Sequence, residues 1–172
     1  MSLLKSDEYP AIYSPYIETV VGDVTALLHE QIETFPEFLE QIPAGKSEYA
    51  YAEDKWTIKE VVGHIIDTER IMAYRALRFA RNDTKELPGF EHEDFVANAR
   101  FNERSLASYA EEFVLVRRSN LLLFESLNDH ELARKGLTSE RLISVRAFMY
   151  IIAGHLNHHQ NIIRERYLRG DG

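Results

Sequence analysis

The sequence predicts an all-α protein, a four-helix bundle, and three observations carry that reading. Four stretches repeat apolar residues at helical spacing, near 15–42, 57–81, 105–127 and 144–168. Each begins beside a residue able to cap a helix: Ser14, Thr57, Ser105 and Ser144. No stretch carries a strong strand signal, an internal repeat or a low-complexity tract.

The first helix has Pro15 at its opening position and runs through Ile17, Val20, Val24, Leu28 and Ile32. Pro36 is expected to kink or interrupt it before Phe38, Leu39 and Ile42. Helix two has the clearest start: Thr57-Ile58-Lys59-Glu60 reads as a capping box, with Trp56 before it as a hydrophobic staple. Residues 82–104 do not read as helix, apart from a turn around Asp94 to Asn98. A connection that long is usually functional or a crossover. Helix three follows from Ser105 through Tyr109, Phe113, Leu121 and Phe124. After a second connector at 130–143, Ser144 opens helix four, with Val145, Phe148, Ile152, His155, His159 and Ile162 on one face.

Composition excludes several functions. With 172 residues the chain fits one domain, long enough to bury about 70% of its unfolded surface. It has no cysteine, which removes disulfides, thiol nucleophiles and Cys-based metal sites. The net charge is −8, and basic residues alternate with acids, as in Arg164-Glu165-Arg166, so nucleic acid is not an expected partner. No run approaches the length of a membrane span, and Met1–Glu8 lacks the pattern of a signal peptide. A cytoplasmic location is expected.

The chemistry concentrates in helix four. His155 and His159 lie four residues apart, about 40° and 6 Å from one another on a helix, so both imidazoles can reach one cation. His158 also lies on that side of His155, about 60° away; continuity with Phe148 and Ile152 favours His159 as the inward partner. A third ligand must come from elsewhere, and His64, seven residues beyond Thr57, would stand at comparable depth if helices two and four are neighbours. Taken singly, a histidine is more often a satisfied structural residue, and His29, His92 and His130 are read that way. On each of the two candidate helices a glycine comes immediately before a histidine, at Gly63 and Gly154. Mid-helix glycine costs about 1 kcal/mol, so the pair implies close helix approach or an opening over the ion. No Glu-x-x-His or His-Glu-x-x-His occurs, which removes the di-iron and protease patterns.

Three segments together resemble one family. Lys55-Trp56-Thr57-Ile58-Lys59-Glu60-Val61-Val62-Gly63-His64-Ile65-Ile66-Asp67-Thr68-Glu69-Arg70, Leu87-Pro88-Gly89-Phe90 and Ile151-Ile152-Ala153-Gly154-His155-Leu156-Asn157-His158-His159 are similar to motifs of the DinB/YfiT-like metalloenzymes. The resemblance covers the chain after about residue 12. It implies a bundle in up-down-down-up order with a long crossover between helices two and three. It also implies a nickel or zinc ion on His64, His155 and His159, and a homodimer. Characterised relatives include bacillithiol-, mycothiol- or glutathione-dependent S-transferases, and the branch has been described as metal-dependent hydrolases. The chain departs from its relatives mainly at Pro36 and in the connector near 134–143.

Three histidines leave a coordination position open, as catalytic sites do. That position could activate a low-molecular-weight thiol against a small electrophile, or a water for hydrolysis. Hydrolysis would want a carboxylate base, for which Asp67, one turn from His64, is the second-shell candidate, though it reads equally well as a surface acid. A non-catalytic metal-binding bundle is the third reading.

Overall fold

The computed structural model describes residues 4–169. The reading of no signal segment at Met1–Glu8 rests partly on Met1–Leu3, which lie outside the described residues. Among the described residues there are seven α-helices: α1 (Ser14–Ile17), α2 (Val24–Glu40), α3 (Ile58–Ala80), α4 (His92–Asn98), α5 (Leu106–Glu125), α6 (Asp129–Leu132) and α7 (Val145–Ile162), the last extended by a π-helical stretch at Ile163–Leu168. Helices α2, α3, α5 and α7 form the bundle. None of the helices is long and apolar enough to cross a membrane.

Two apolar clusters reveal the helix directions. One holds Val24 and Leu28, Met72 to Ala80, Leu121 and Phe124, and Val145 to Ala153. The other holds Phe35 to Leu39, Ile58 to Ile66, Tyr109 and Phe113, and Leu156. Helices α2 and α7 therefore run from the first cluster to the second, and α3 and α5 run the opposite way. The order is up-down-down-up. Because α3 and α5 are parallel, residues 81–105 must return the length of the bundle, and α4 and a 3-10 turn at Phe101–Glu103 lie on that path.

Three of the four capping expectations hold. Thr57 and Glu60 form the reciprocal box at 3.1 and 2.7 Å, and the Ser105 and Ser144 hydroxyls accept from Ser108 N at 3.1 Å and Ala147 N at 3.0 Å. Ser14 does not cap. The first helix is broken: α1 ends at Ile17, Gly22 turns the chain at φ +84°, and Asp23 caps α2 by accepting from Ala26 N at 2.9 Å. The stop and restart were written as Gly22-Asp23, glycine for the left-handed turn and aspartate for the cap. Conversely, Pro36 does not interrupt α2. It removes one backbone donor, but the burial of Phe35, Phe38 and Leu39 holds the last turn in place.

The second connector contains a hairpin that the sequence did not announce. Strands β1 (Lys135–Thr138) and β2 (Arg141–Ser144) pair antiparallel, Lys135 opposite Ser144 and Thr138 opposite Arg141. The turn residues Ser139 and Glu140 both have positive φ, a geometry usually signalled by Asn-Gly or Asp-Gly. Leu87 bridges to Thr138, which anchors the start of the crossover to the hairpin.

Between the two apolar clusters lies a polar layer. Arg117 and Glu69, both nearly fully buried, form a two-pronged pair at 2.8 and 2.9 Å. Arg117 Nη1 also donates to Leu28 O at 3.2 Å and Gln31 Oε1 at 2.6 Å, and Asn120 donates to Glu69 at 3.2 Å. Gln31 Nε2 passes the chain on to Ala153 O at 3.0 Å and Asn157 Oδ1 at 2.8 Å. Replacing Arg117 by Met strands a buried carboxylate and is expected to cost about 3–5 kcal/mol in urea unfolding. Adding Glu69→Met should recover much of that loss; a double variant no better than Arg117→Met would refute the account.

Candidate metal centre

His64 comes from α3, and His155 and His159 come from α7. One ring nitrogen from each lies within 4.8 Å of the others. His64 Nε2 faces His155 Nε2 at 3.0 Å, and the His155 and His159 ring centroids are 4.4 Å apart. The α-helical i, i+4 spacing thus does in the fold what it promised in the sequence. His158 turns away: its ring stands edge-on to Tyr16 at 5.1 Å and lies outside the three-nitrogen cluster.

The glycines before the histidines serve a purpose different from the one expected. A Cβ on Gly63 would overlap the ring of Phe101 from the crossover, and a Cβ on Gly154 would overlap the Tyr16 carbonyl. Each admits a segment from outside the four long helices, the crossover at Gly63 and the chain around α1 at Gly154. Tyr16, seated over Gly154, stands edge-on to His155 at 5.2 Å, while Thr19 O accepts from Asn157 Nδ2 at 3.2 Å.

Burial dominates the electrostatics. Loss of solvation lowers His64 to about 4 and His159 to about 3, and it drives His155 well below the usual imidazole range. Neighbouring imidazoles add to each shift. Among the described residues no carboxylate hydrogen-bonds to any of the three, so nothing favours their protonation. Three neutral imidazoles converging on one point are the donor set of a late first-row divalent ion, and the residues fit such a group.

The cluster opens on a cavity of about 320 Å³. Its walls include Tyr13, Tyr16, Trp56, Thr68, Met72, Arg75, Phe90, His92, Glu93, Arg141 and Ile151. Trp56 packs against His64 with centroids 4.8 Å apart, and its Nε1 donates to Glu93 Oε2 at 3.1 Å.

Two further residues of the sequence reading take their places here. His92, taken as structural, reaches the site: its ring stands edge-on to His64 at 5.3 Å and to Phe90 at 4.6 Å. The crossover brings it there, and its place just after Leu87-Pro88-Gly89-Phe90 was the available signal. Asp67, the candidate second-shell base, is not on the cavity wall. Its carboxylate lies 3.5 Å from Arg70, which in turn pairs with Glu112 of α5 at 2.6 Å. His29 and His130 stay apart from the cluster, His29 against Glu125 at 2.6 Å and His130 exposed in α6.

Comparisons with known proteins agree with this architecture. The model of the DinB superfamily matches residues 27–163. Among solved structures, YfiT from Bacillus subtilis, described as a probable metal-dependent hydrolase with an unusual four-helix bundle topology, superposes with a TM-score of 0.74 over 85% of each chain at 16% identity. No curated protein matches the sequence.

Lowered histidine pKa values carry a consequence for the metal-free protein. In the unfolded chain these groups take up protons near pH 6.5, whereas in the fold they resist until about pH 4 or lower. The unfolded state therefore binds more protons in that window, and stability should fall as pH drops from about 6.5 towards 4. Thermal melts across the range check the sign, and His155→Gln should flatten the slope.

Proposed function

The chain belongs to the DinB superfamily, and we propose that it is a metal-dependent enzyme holding one nickel or zinc ion on His64, His155 and His159. The observation that carries the reading is the convergence of three buried, neutral imidazoles at the floor of a cavity. When bound, the ion supplies Lewis acidity that lowers the pKa of a thiol or a water held beside it.

The favoured reaction is transfer of a low-molecular-weight thiol to a small electrophile. The chain has no cysteine, so the thiol must be supplied as a second substrate. Tyr16, Trp56 and Phe90 give the cavity aromatic walls that exclude water and suit an apolar electrophile. Burial holds His64, His155 and His159 neutral, which leaves a ring nitrogen of each free to ligate the ion. Hydrolysis is the second reading, and Glu93 favours it: this carboxylate lies on the cavity wall and is oriented by the Trp56 N–H. YfiT, with the same fold, is described in those terms. A homodimer belongs to the proposal, supported by the exposed Leu115 and Leu122 on α5; sedimentation as a monomer at micromolar concentration would count against it.

Nickel or zinc should raise the melting temperature, since the ion binds the folded state and links α3 to α7. His155→Ala and His159→Ala should each abolish tight metal binding, whereas His158→Ala should weaken it far less. Calorimetric titration decides: tight binding that survives His159→Ala and fails in His158→Ala would reassign the ligand. The metal-loaded protein should consume electrophiles only when a thiol is added. Thiol-independent turnover that is lost in Glu93→Gln would establish hydrolysis instead.

A further inference from the structure

Four basic side chains are buried: Lys59, Arg75, Arg117 and Arg146. Three of them face a carboxylate, Lys59 on Glu48 at 2.7 Å, Arg117 on Glu69 at 2.8 Å and Arg146 on Glu8 at 3.4 Å. Arg75, only 5% exposed, has no carboxylate partner among the described residues. Its single hydrogen bond to an oxygen goes from Nη2 to Pro88 O at 2.8 Å, and Nη1 meets only the Met72 sulfur at 3.7 Å. A buried guanidinium left this way is costly unless an anion joins it. Arg75 lines the cavity below which the three histidines meet.

A second orphan group lies on the same wall. Thr68 is 2% exposed, and its hydroxyl makes no hydrogen bond. His64, Thr68, Met72 and Arg75 follow at steps of four, four and three along α3, so they share one helix face, all within the cavity lining. Eleven residues of helix span about 16 Å. The cavity therefore has a metal-binding end at His64 and a cationic end at Arg75, joined by an apolar wall with one free hydroxyl.

We propose that Arg75 binds a carboxylate of the substrate, with Thr68 offering a hydrogen bond along the way, so that the substrate is an elongated carboxylate whose reacting atom lies at the opposite end. This rests on the metal-centred reading above. The Arg75 guanidinium matches the charge and two-oxygen geometry of a carboxylate, and it is the buried one of the two arginines on the wall, Arg141 being exposed. The cavity's only acidic residue, Glu93, is paired with Trp56.

Trp56 is the sole tryptophan and faces the cavity, so its fluorescence reports occupancy in the full chain. In the metal-free protein near neutral pH, octanoate should bind roughly tenfold or more tightly than octanol, the effect of one charge-assisted contact. Arg75→Gln should remove the difference and leave octanol unchanged. Equal affinities in the unaltered protein overturn the proposal without any variant. So does a preference that survives Arg75→Gln, or octyl phosphate binding more tightly than octanoate. In the zinc-loaded protein, mercaptooctanoate should bind more tightly than octanoate, and His155→Ala should erase that gain alone. Loss of the thiol gain with the carboxylate preference intact overturns the metal reading only; the reverse pattern overturns the Arg75 site only.

Discussion

The bundle depends on the pairing of Arg117 with Glu69. Both are out of water, where a lone charge could not persist, so each must find its partners inside the protein. Arg117 has two carboxylate oxygens, a backbone carbonyl and the Gln31 amide; Glu69 adds Asn120. Through Gln31 the layer reaches Ala153 and Asn157. All four long helices are thereby bonded to one plane between two apolar clusters. Apolar packing alone tolerates sliding by a turn, whereas a directional network does not. The contact to Ala153 and Asn157 fixes the depth of α7, and so the height at which His155 and His159 meet His64.

The chemistry of the site follows from burial near that layer. Desolvation keeps the imidazoles neutral, and among the described residues no carboxylate hydrogen-bonds to them to reverse it. Where two imidazole nitrogens approach to 3.0 Å, neutrality is what makes the approach acceptable, because two imidazolium ions would repel. Part of the cavity wall is built by segments from outside the bundle. Gly63 and Gly154 let Phe101 and Tyr16 settle onto α3 and α7, and Tyr16 there becomes part of the wall. The same local rule violation appears on both helices that carry the three histidines, for the same steric reason.

Topology explains why a long connection became part of the cavity. Parallel neighbours cannot be joined by a short loop, and α3, with its 23 residues, is about 34 Å long. The return path carries Phe90, His92 and Glu93 past the histidines, and the hairpin at 135–144 anchors its start through Leu87. A chain that must cross the molecule anyway contributes side chains to the cavity wall beside the three histidines.

What the sequence determined by itself was whatever depends on neighbours along the chain. The four-helix pattern, the Thr57–Glu60 box, the Ser105 and Ser144 caps and the convergence-ready spacing of His155 and His159 are all of this kind, since a helix relates residues three or four apart wherever it occurs. The break at Gly22-Asp23 was written locally too, but the apolar spacing across it disguised it. Tertiary structure alone decided the rest. Arg117 and Glu69 are 48 positions apart, and nothing in their own neighbourhoods distinguishes them from surface charges. Ser139-Glu140 adopts a turn that its residues do not favour, held by pairing on either side. His92 reaches His64 only because the crossover returns over α3, and Asp67 lies with Arg70, which pairs with Glu112 of α5, and not on the cavity wall. Local periodicity is set by backbone geometry, whereas which faces meet, and which charges must share a buried plane, is settled only when the helices pack.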